Sequence, residues 1–284
     1  MRKTLSSMPL HAQRHVRKMR GGAQSHLLET DDGRFYVVKF LNNPQHRRIL
    51  VNELVGSLFL RYLRIATPET AIISVSEQFL GGNPGVCLEF GSRSVPVQPG
   101  WHFGSCYPGD PSRLAVYDFL PDALLTQVTN LNHFIGVLVA DKWMANADAR
   151  QSIYFRARLG EWVDAGRVHP RKVGFLAQMI DHGFVFNGPH WEFRDAPLDG
   201  LAPRPLVYDG VRSWDDFQPW LDQVVHFPEA VADQVRKQVP PSWLDGDGAA
   251  LDDLLEKLLR RCQRVPDLIS NCRGARAALF PNWR

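Results

Sequence analysis

Cysteine is scarce in this chain, acid is missing from its start, and no long apolar run occurs. The four cysteines, Cys87, Cys106, Cys262 and Cys272, lie far apart among 284 residues and show no metal-ligand spacing. That argues against a disulfide framework and a cysteine metal site, and points to reduced thiols in a cytosolic protein. No run approaches the roughly 18 apolar residues that span a bilayer, and residues 1–30 lack the apolar core of a signal peptide. The expected location is therefore the cytoplasm, with no membrane partner. No Asp or Glu precedes Glu29, whereas Arg2, Lys3, Arg14, Arg17, Lys18 and Arg20 do. Such a stretch is either a solvated basic terminus or a contact for a polyanion, for example a nucleotide's phosphates. The net charge of +3 is too small to argue for nucleic acid. Internal repeats and low-complexity tracts are also absent.

What is there has the composition of an ordinary globular protein, 44% hydrophobic and 22% charged. The length suits one large domain or two lobes around a cleft. Ser25–Thr30 and Arg34–Phe40 read as strands, with Asp31-Asp32-Gly33 as the hairpin turn between them. Asn43 is placed to cap a helix with Pro44 at its first position. Leu50, Leu54, Leu58 and Tyr62 give that helix an apolar face, and it should stop before Pro68. Thr70–Val75 and Val86–Phe90 are strand-like, and residues 81–85 read as a turn. Residues 91–112, rich in Gly, Ser and Pro, read as a linker, with a hinge near 89–100. Leu114–Asp122 reads as the start of a helical region, and Leu131–Met144 as a buried helix. Ser152–Arg156 and Val173–Ile180 form a strand pair around a polar excursion. From Ser213 onward the pattern is mainly helical, strongest at Leu251, Leu254, Leu255, Leu258 and Leu259. The aromatic residues Trp214, Phe217 and Trp220 recur at helical spacing and read as core. The expected fold is α+β and bilobal: a small β-rich lobe with one helix over residues 1–92, and a larger helical lobe over 93–284.

Chemistry concentrates at a few positions. Residues 143–151, Trp-Met-Ala-Asn-Ala-Asp-Ala-Arg-Gln, form a polar loop between a helix and a strand. Asp148 is the candidate base there, since an aspartate can accept or orient an acceptor hydroxyl proton. Asn146 and Gln151 flank it with amide oxygens that suit a hard magnesium ion. A helix-ending loop whose Asn and Asp merely cap backbone groups has the same composition. Asp181 follows the second strand and precedes His182-Gly183, where a carboxylate can reach a metal bridging phosphates; an ordinary turn reads alike. His182 reads more readily as structural than as a base or ligand. Lys39 ends an apolar strand, and Glu53 is the one acid of the next helix. The two either hold ATP phosphates as an ion pair, or the lysine snorkels at a strand end. Gly21-Gly22-Ala23-Gln24-Ser25 allows backbone N–H groups to approach phosphates, or forms a simple turn.

Taken in order, Gly21-Gly-Ala-Gln24, Lys39, Asn52-Glu53, Leu88-Glu-Phe-Gly-Ser-Arg93, Asn146-Ala-Asp148 and Ile180-Asp181 resemble the HipA-like protein kinases over about residues 20 to 187. The resemblance implies a kinase-like fold that binds ATP and Mg2+. Gly21, Gly22, Ala23, Gln24 and Ser25 would lie near the phosphates, and Lys39 would contact them and pair with Glu53. Glu89 and Phe90 would form the adenine-facing hinge. Asp148 would be the catalytic aspartate and Asp181 a magnesium ligand. Toxin members of the family phosphorylate serine or threonine on a protein. The chain departs from the family at three places. Ile153 stands where an asparagine usually follows the catalytic aspartate, so Gln151 becomes the substitute second metal ligand. Met19 replaces the serine that toxin members autophosphorylate, so that self-inactivation should be absent. The N-terminal subdomain of the toxin members is expected to be missing, and an antitoxin partner is not assumed. The expected activity is a serine/threonine protein kinase. The alternatives are a phosphotransferase acting on a small molecule or lipid, and a nucleotide-binding pseudokinase.

Overall fold

The structure is a computed structural model and describes residues 8–162 and 171–284. Arg2 and Lys3, and part of the polar excursion, lie outside the described residues. The sequence folds first into sheet. Strands β1 (Leu10–Lys18), β2 (His26–Thr30) and β3 (Phe35–Lys39) lead into helix α1 (Arg48–Tyr62). There follow β4 (Thr70–Val75), the short α2 (Glu77–Gly82), β5 (Cys87–Phe90), β6 (Arg93–Pro96) and β7 (Gly100–Cys106). Five of these strands close a barrel in the order β1-β2-β3-β7-β4, completed by a parallel contact of β4 with β1. Leu28, Tyr36, Val38, Phe40, Ile73 and Val75 fill it. Strand alternation then turns Val37 and Lys39 to the opposite face of β3. The hairpin at Asp31-Asp32-Gly33 is as expected, with Gly33 at φ 73°.

Several expectations need correction. The basic terminus is no free tail from Leu10 on: it is β1, where Arg14 pairs with Glu29 at 2.6 Å and Lys18 with Glu89 at 3.6 Å. Asn43 does not cap α1. Its Oδ1 accepts from the Gln45 N–H at 2.7 Å in a local turn, and the helix starts at Arg48. Residues 91–112 are not a linker, because β6 and β7 lie within them and β7 is a central barrel strand between β3 and β4. Within 114–122 the chain forms β8 (Val116–Tyr117) rather than helix, with only the short α3 (Asp122–Leu125) beginning at its end.

Helix α1 is buried almost all round, because it lies between the barrel and the helical half. It stops where Arg64 turns left-handed (φ 57°) and the Ile65 N–H reaches back to Leu60 O at 2.9 Å. The second half opens with α4 (His133–Met144), then the hairpin β9 (Gln151–Arg158) and β10 (Val173–Ile180), with β8 on its edge. Helices α5 (Trp220–Val225), α6 (Glu229–Arg236), α7 (Pro241–Leu244), α8 (Gly248–Arg261) and α9 (Val265–Ala275) complete the chain. One core runs from α1 through α4 to these helices. The rings of Phe59, Trp143 and Phe227 meet at 4.6 to 5.2 Å, and Trp143 Nε1 donates to Leu258 O at 3.0 Å. Phe217 and Trp220 are core as expected, while Trp214 is partly exposed beside Trp283. The fold is thus mixed α/β, sheet-rich through Cys106 and mostly helical later. Among the described residues no helix is long and apolar enough to cross a membrane. The four cysteines are unpaired.

Candidate active site

Lys39 leaves the outer face of β3 and meets two acids. Its Nζ donates to Glu53 Oε1 of α1, and to Asp181 Oδ1 just beyond β10 at 2.7 Å. These three residues come from positions up to 142 apart in the chain. Lys39 and Glu53 are both buried, so each charge needs the other. Burial works against the lysine's charge, but Glu53 and Asp181 together hold its pKa above the ordinary value. Burial raises the Glu53 carboxyl despite the pull of Lys39. Burial also opposes ionisation of Asp181, yet the Lys39 charge and hydrogen bonds overcome it and hold that carboxyl at about 2. Asp181 itself sits in left-handed backbone, φ 57°. Gly183 follows where a Cβ would lie 2.8 Å from Ile49 and 3.3 Å from Glu53 Oε1, so only glycine permits this closeness to α1.

The loop after α4 begins at Ala145, left-handed at φ 47°, with the Asn146 N–H closing on Asp141 O at 3.0 Å. Asn146 is buried and braces the loop: its Nδ2 donates to Asp141 Oδ1 at 3.2 Å and its Oδ1 accepts from the Asp148 N–H at 3.3 Å. Asp148 is half-buried. Its Oδ1 accepts from the Ala149 N–H at 2.7 Å, and Gln151 Nε2 donates weakly to its Oδ2 at 3.4 Å. Gln151 pairs with Ile180 across the β9–β10 hairpin. One end of this sheet therefore carries Asp148, Gln151 and the residue before Asp181.

Beneath the loop lies a pair that the sequence reading missed. Arg150 and Asp141 are both fully buried and form a two-pronged ion pair, one contact being Nε to Oδ2 at 2.8 Å. Arg150 Nη1 also donates to Ile180 O at 2.9 Å and to His182 Nδ1 at 3.0 Å. His182 Nε2 meets Thr67 Oγ1 at 3.1 Å, so both ring nitrogens are engaged and burial keeps the ring neutral. His182 is structural, as expected. The missed signal was Asp141-Lys142 inside an apolar helix, since two charges there demand partners. Lys142 finds its own in the carbonyls of Pro197 and Asp199, at 2.7 and 2.6 Å.

The glycine segment forms a tight turn, with Gly21 at φ 113° and Gln24 at φ 49°. A Cβ on Gly22 would lie 2.9 Å from Gln45 Nε2, and Ala23 O accepts from Asn43 Nδ2 at 3.4 Å. Ser25 is buried at the start of the following strand. The Gln24 amide is fully committed to the backbone of Glu89, donating to its O at 2.7 Å and accepting from its N–H at 2.6 Å. Glu89 and Phe90 belong to a separate two-stranded sheet of β5 and β6. The chain returns from it into β7 of the barrel, so these two residues are not where the barrel ends.

Among the described residues no three His, Cys, Asp or Glu side chains are grouped to hold a metal. Magnesium is bound through one or two protein oxygens plus substrate phosphates, so a full cage is not needed. The hard oxygens of Asp181 and Gln151, at one sheet end, fit that donor chemistry.

No family model matches the chain, and no curated protein matches it. Two solved structures of the Golgi casein kinase align with it. One, with Mn and ADP bound, matches 94% of this chain and 73% of that one at 11% identity, with a TM-score of 0.45. The other matches 94% and 72% at 12% identity, with a TM-score of 0.46. Similarity of this degree leaves the reading to the chain's own geometry.

Proposed function

We propose that this chain is an ATP- and magnesium-dependent phosphotransferase of kinase-like architecture. The observation that carries the reading is Lys39 bonded at once to Glu53 and Asp181. A lysine held between a helix acid and a strand-end acid is poised to neutralise phosphates. Asp148 would orient the acceptor hydroxyl and take its proton, held by Asn146 from below. Asp181 and Gln151 would hold magnesium, which when bound supplies positive charge to phosphate oxygens. The turn Gly21–Ser25 would cover the nucleotide. We place the division between the two lobes after Cys106, where β7 leaves the barrel, rather than at residue 92.

The finer attribution, a HipA-like serine/threonine protein kinase, rests on the order of the motifs. A small-molecule or lipid acceptor is the alternative, separated by assaying γ-phosphate transfer to protein mixtures and to metabolites. A cytoplasmic setting is proposed from the four unpaired thiols. A pseudokinase reading draws on one feature: Gln151 stands in for the usual asparagine and leans on Asp148.

The test is a magnesium-dependent ATP titration followed by single-turnover assay. Asp148→Ala should retain ATP binding while transfer falls by about 100-fold or more. Full transfer in that variant would remove Asp148 from its role. Magnesium-dependent binding without any turnover in the wild type would instead support the pseudokinase.

A further inference from the structure

Asn52 precedes Glu53 on α1 and is fully buried. Its Nδ2 lies 2.7 Å from Gly183 O, 2.9 Å from Gly188 O and 3.1 Å from Val185 O. Its Oδ1 accepts from Trp191 Nε1 at 2.8 Å. One amide thus closes on four groups of a single segment, the one that follows Asp181. That segment holds unusual backbone. Asp181, Phe186, Asn187 and Trp191 all have left-handed φ, between 54° and 59°, and Gly188 sits at 62°. Such a concentration of strained residues persists only where the surroundings over-determine it. The loop after α4 holds one side, through Ala147 N–H to Phe184 O and Asn187 N–H to Ala145 O, and α1 holds the other. Arg48, one turn before Asn52, stacks over the Trp191 ring at 4.3 Å, donates to Pro189 O at 2.9 Å and forks onto Asp247 at 2.7 and 2.8 Å.

We infer that Asn52 is a positioning residue for Asp181: it ties α1 to the segment after β10, so that the turn presenting Glu53 to Lys39 also fixes the second acid on that lysine. The functional meaning rests on the phosphotransferase reading; the mechanical claim does not. Without Asn52, the carbonyls of Gly183, Val185 and Gly188 lose buried donors and the left-handed run loses its clamp.

Hydrogen exchange on the full chain without nucleotide tests the clamp directly. In Asn52→Ala, amides of residues 182–191 should exchange at least about tenfold faster, with the α4 and α8 peptides changed far less. Trp191→Phe keeps a ring under Arg48 and removes one donor. It should show the same local pattern more weakly, and it carries the test alone should Asn52→Ala not fold. In ATP titrations, both variants should need several-fold more magnesium, with metal-free nucleotide binding unchanged. Unchanged exchange at 182–191, or equal acceleration everywhere, overturns the proposal. Equal weakening of metal-free and metal-dependent binding overturns the link to Asp181. Local acceleration in the variants of a wild type that binds no nucleotide overturns the phosphotransferase reading and supports the clamp.

Discussion

At the residue scale the chain invests buried charge in holding its polar loop. Asp141 and Arg150 pair with no exposure, nine residues apart across the end of α4. Arg150 directs its Nη1 donors to Ile180 O and His182, the residues on either side of Asp181. A single guanidinium therefore sets both the loop of Asp148 and the strand end of Asp181. Removing one member of such a pair strands the other charge in the interior. Asp141→Asn keeps the shape but not the charge, and should cost about 3–5 kcal/mol in urea unfolding. A loss under about 1 kcal/mol would mean that water or another acid compensates Arg150. Glu53 was legible as a partner of Lys39 because it is the one acid of the helix that follows; the bond of Lys39 to Asp181 was not, since Asp181 was read as a metal ligand. The Asp141–Arg150 pair was not legible either, because its two members seemed to belong to a helix interior and a loop, and only the fold brings both under Asp181.

At the element scale the decisive contact is between α1 and the segment 181–183. Gly56 of α1 lies where a Cβ would come 2.8 Å from His182 Cβ. His182 is held by Arg150 and Thr67 on its two ring nitrogens and cannot give way easily. Gly56→Ala gains about 1 kcal/mol of helix propensity but meets an overpacking cost of about 1–3 kcal/mol. The expected net loss is small, yet α1 must move from the segment that presents Asp181. On the proposed function, phosphotransfer should therefore fall more than stability does. Gly81→Ala, also helical but with nothing within 4 Å of its Cβ, is the control: it should gain up to about 1 kcal/mol of stability and leave the rate unchanged. Equal behaviour of the two variants in unfolding and rate assays would show that the α1 contact is loose. Glycine also explains the strand that sequence reading lost. In β7, a Cβ on Gly104 would lie 2.5 Å from Ile73 Cγ1 of β4, so the barrel needs a glycine there. Read without the partner strand, that glycine and its neighbours resemble a linker. Strand β1 was lost for another reason: its exposed positions carry the basic residues, and its apolar ones are few.

At the scale of the whole molecule, three histidines tie its parts together in the neutral form. His102 of β7 is wholly buried; its Nδ1 accepts from the Leu41 N–H at 3.0 Å, and its Nε2 donates to Gln98 O at 3.0 Å. His133 opens α4 and accepts from the Ala66 N–H at 2.8 Å. His26 of β2 donates to Cys87 O at 3.2 Å and accepts from His15 at 3.0 Å. Each uses a ring nitrogen as acceptor, so a second proton would break a bond as well as charge a buried ring. Burial, aided at His26 by the neighbouring His15, lowers all three to about 4 from an ordinary 6.5. The unfolded chain then binds more protons than the folded one between those values. Stability from these groups is complete above about pH 6.5 and is lost as pH falls toward 4, each group approaching a slope of about 1.4 kcal/mol per pH unit. Asp181, held at about 2, keeps its contribution through that window and loses it only in stronger acid. Urea midpoints should accordingly fall between pH 7 and pH 5, with net proton uptake on unfolding at pH 5. The barrel and its junction with α4 should loosen while the Lys39–Asp181 contact is still charged. A flat midpoint over that range would mean that the three rings have room to protonate in place, and that their neutral-form bonds do not hold the barrel and its junction with α4.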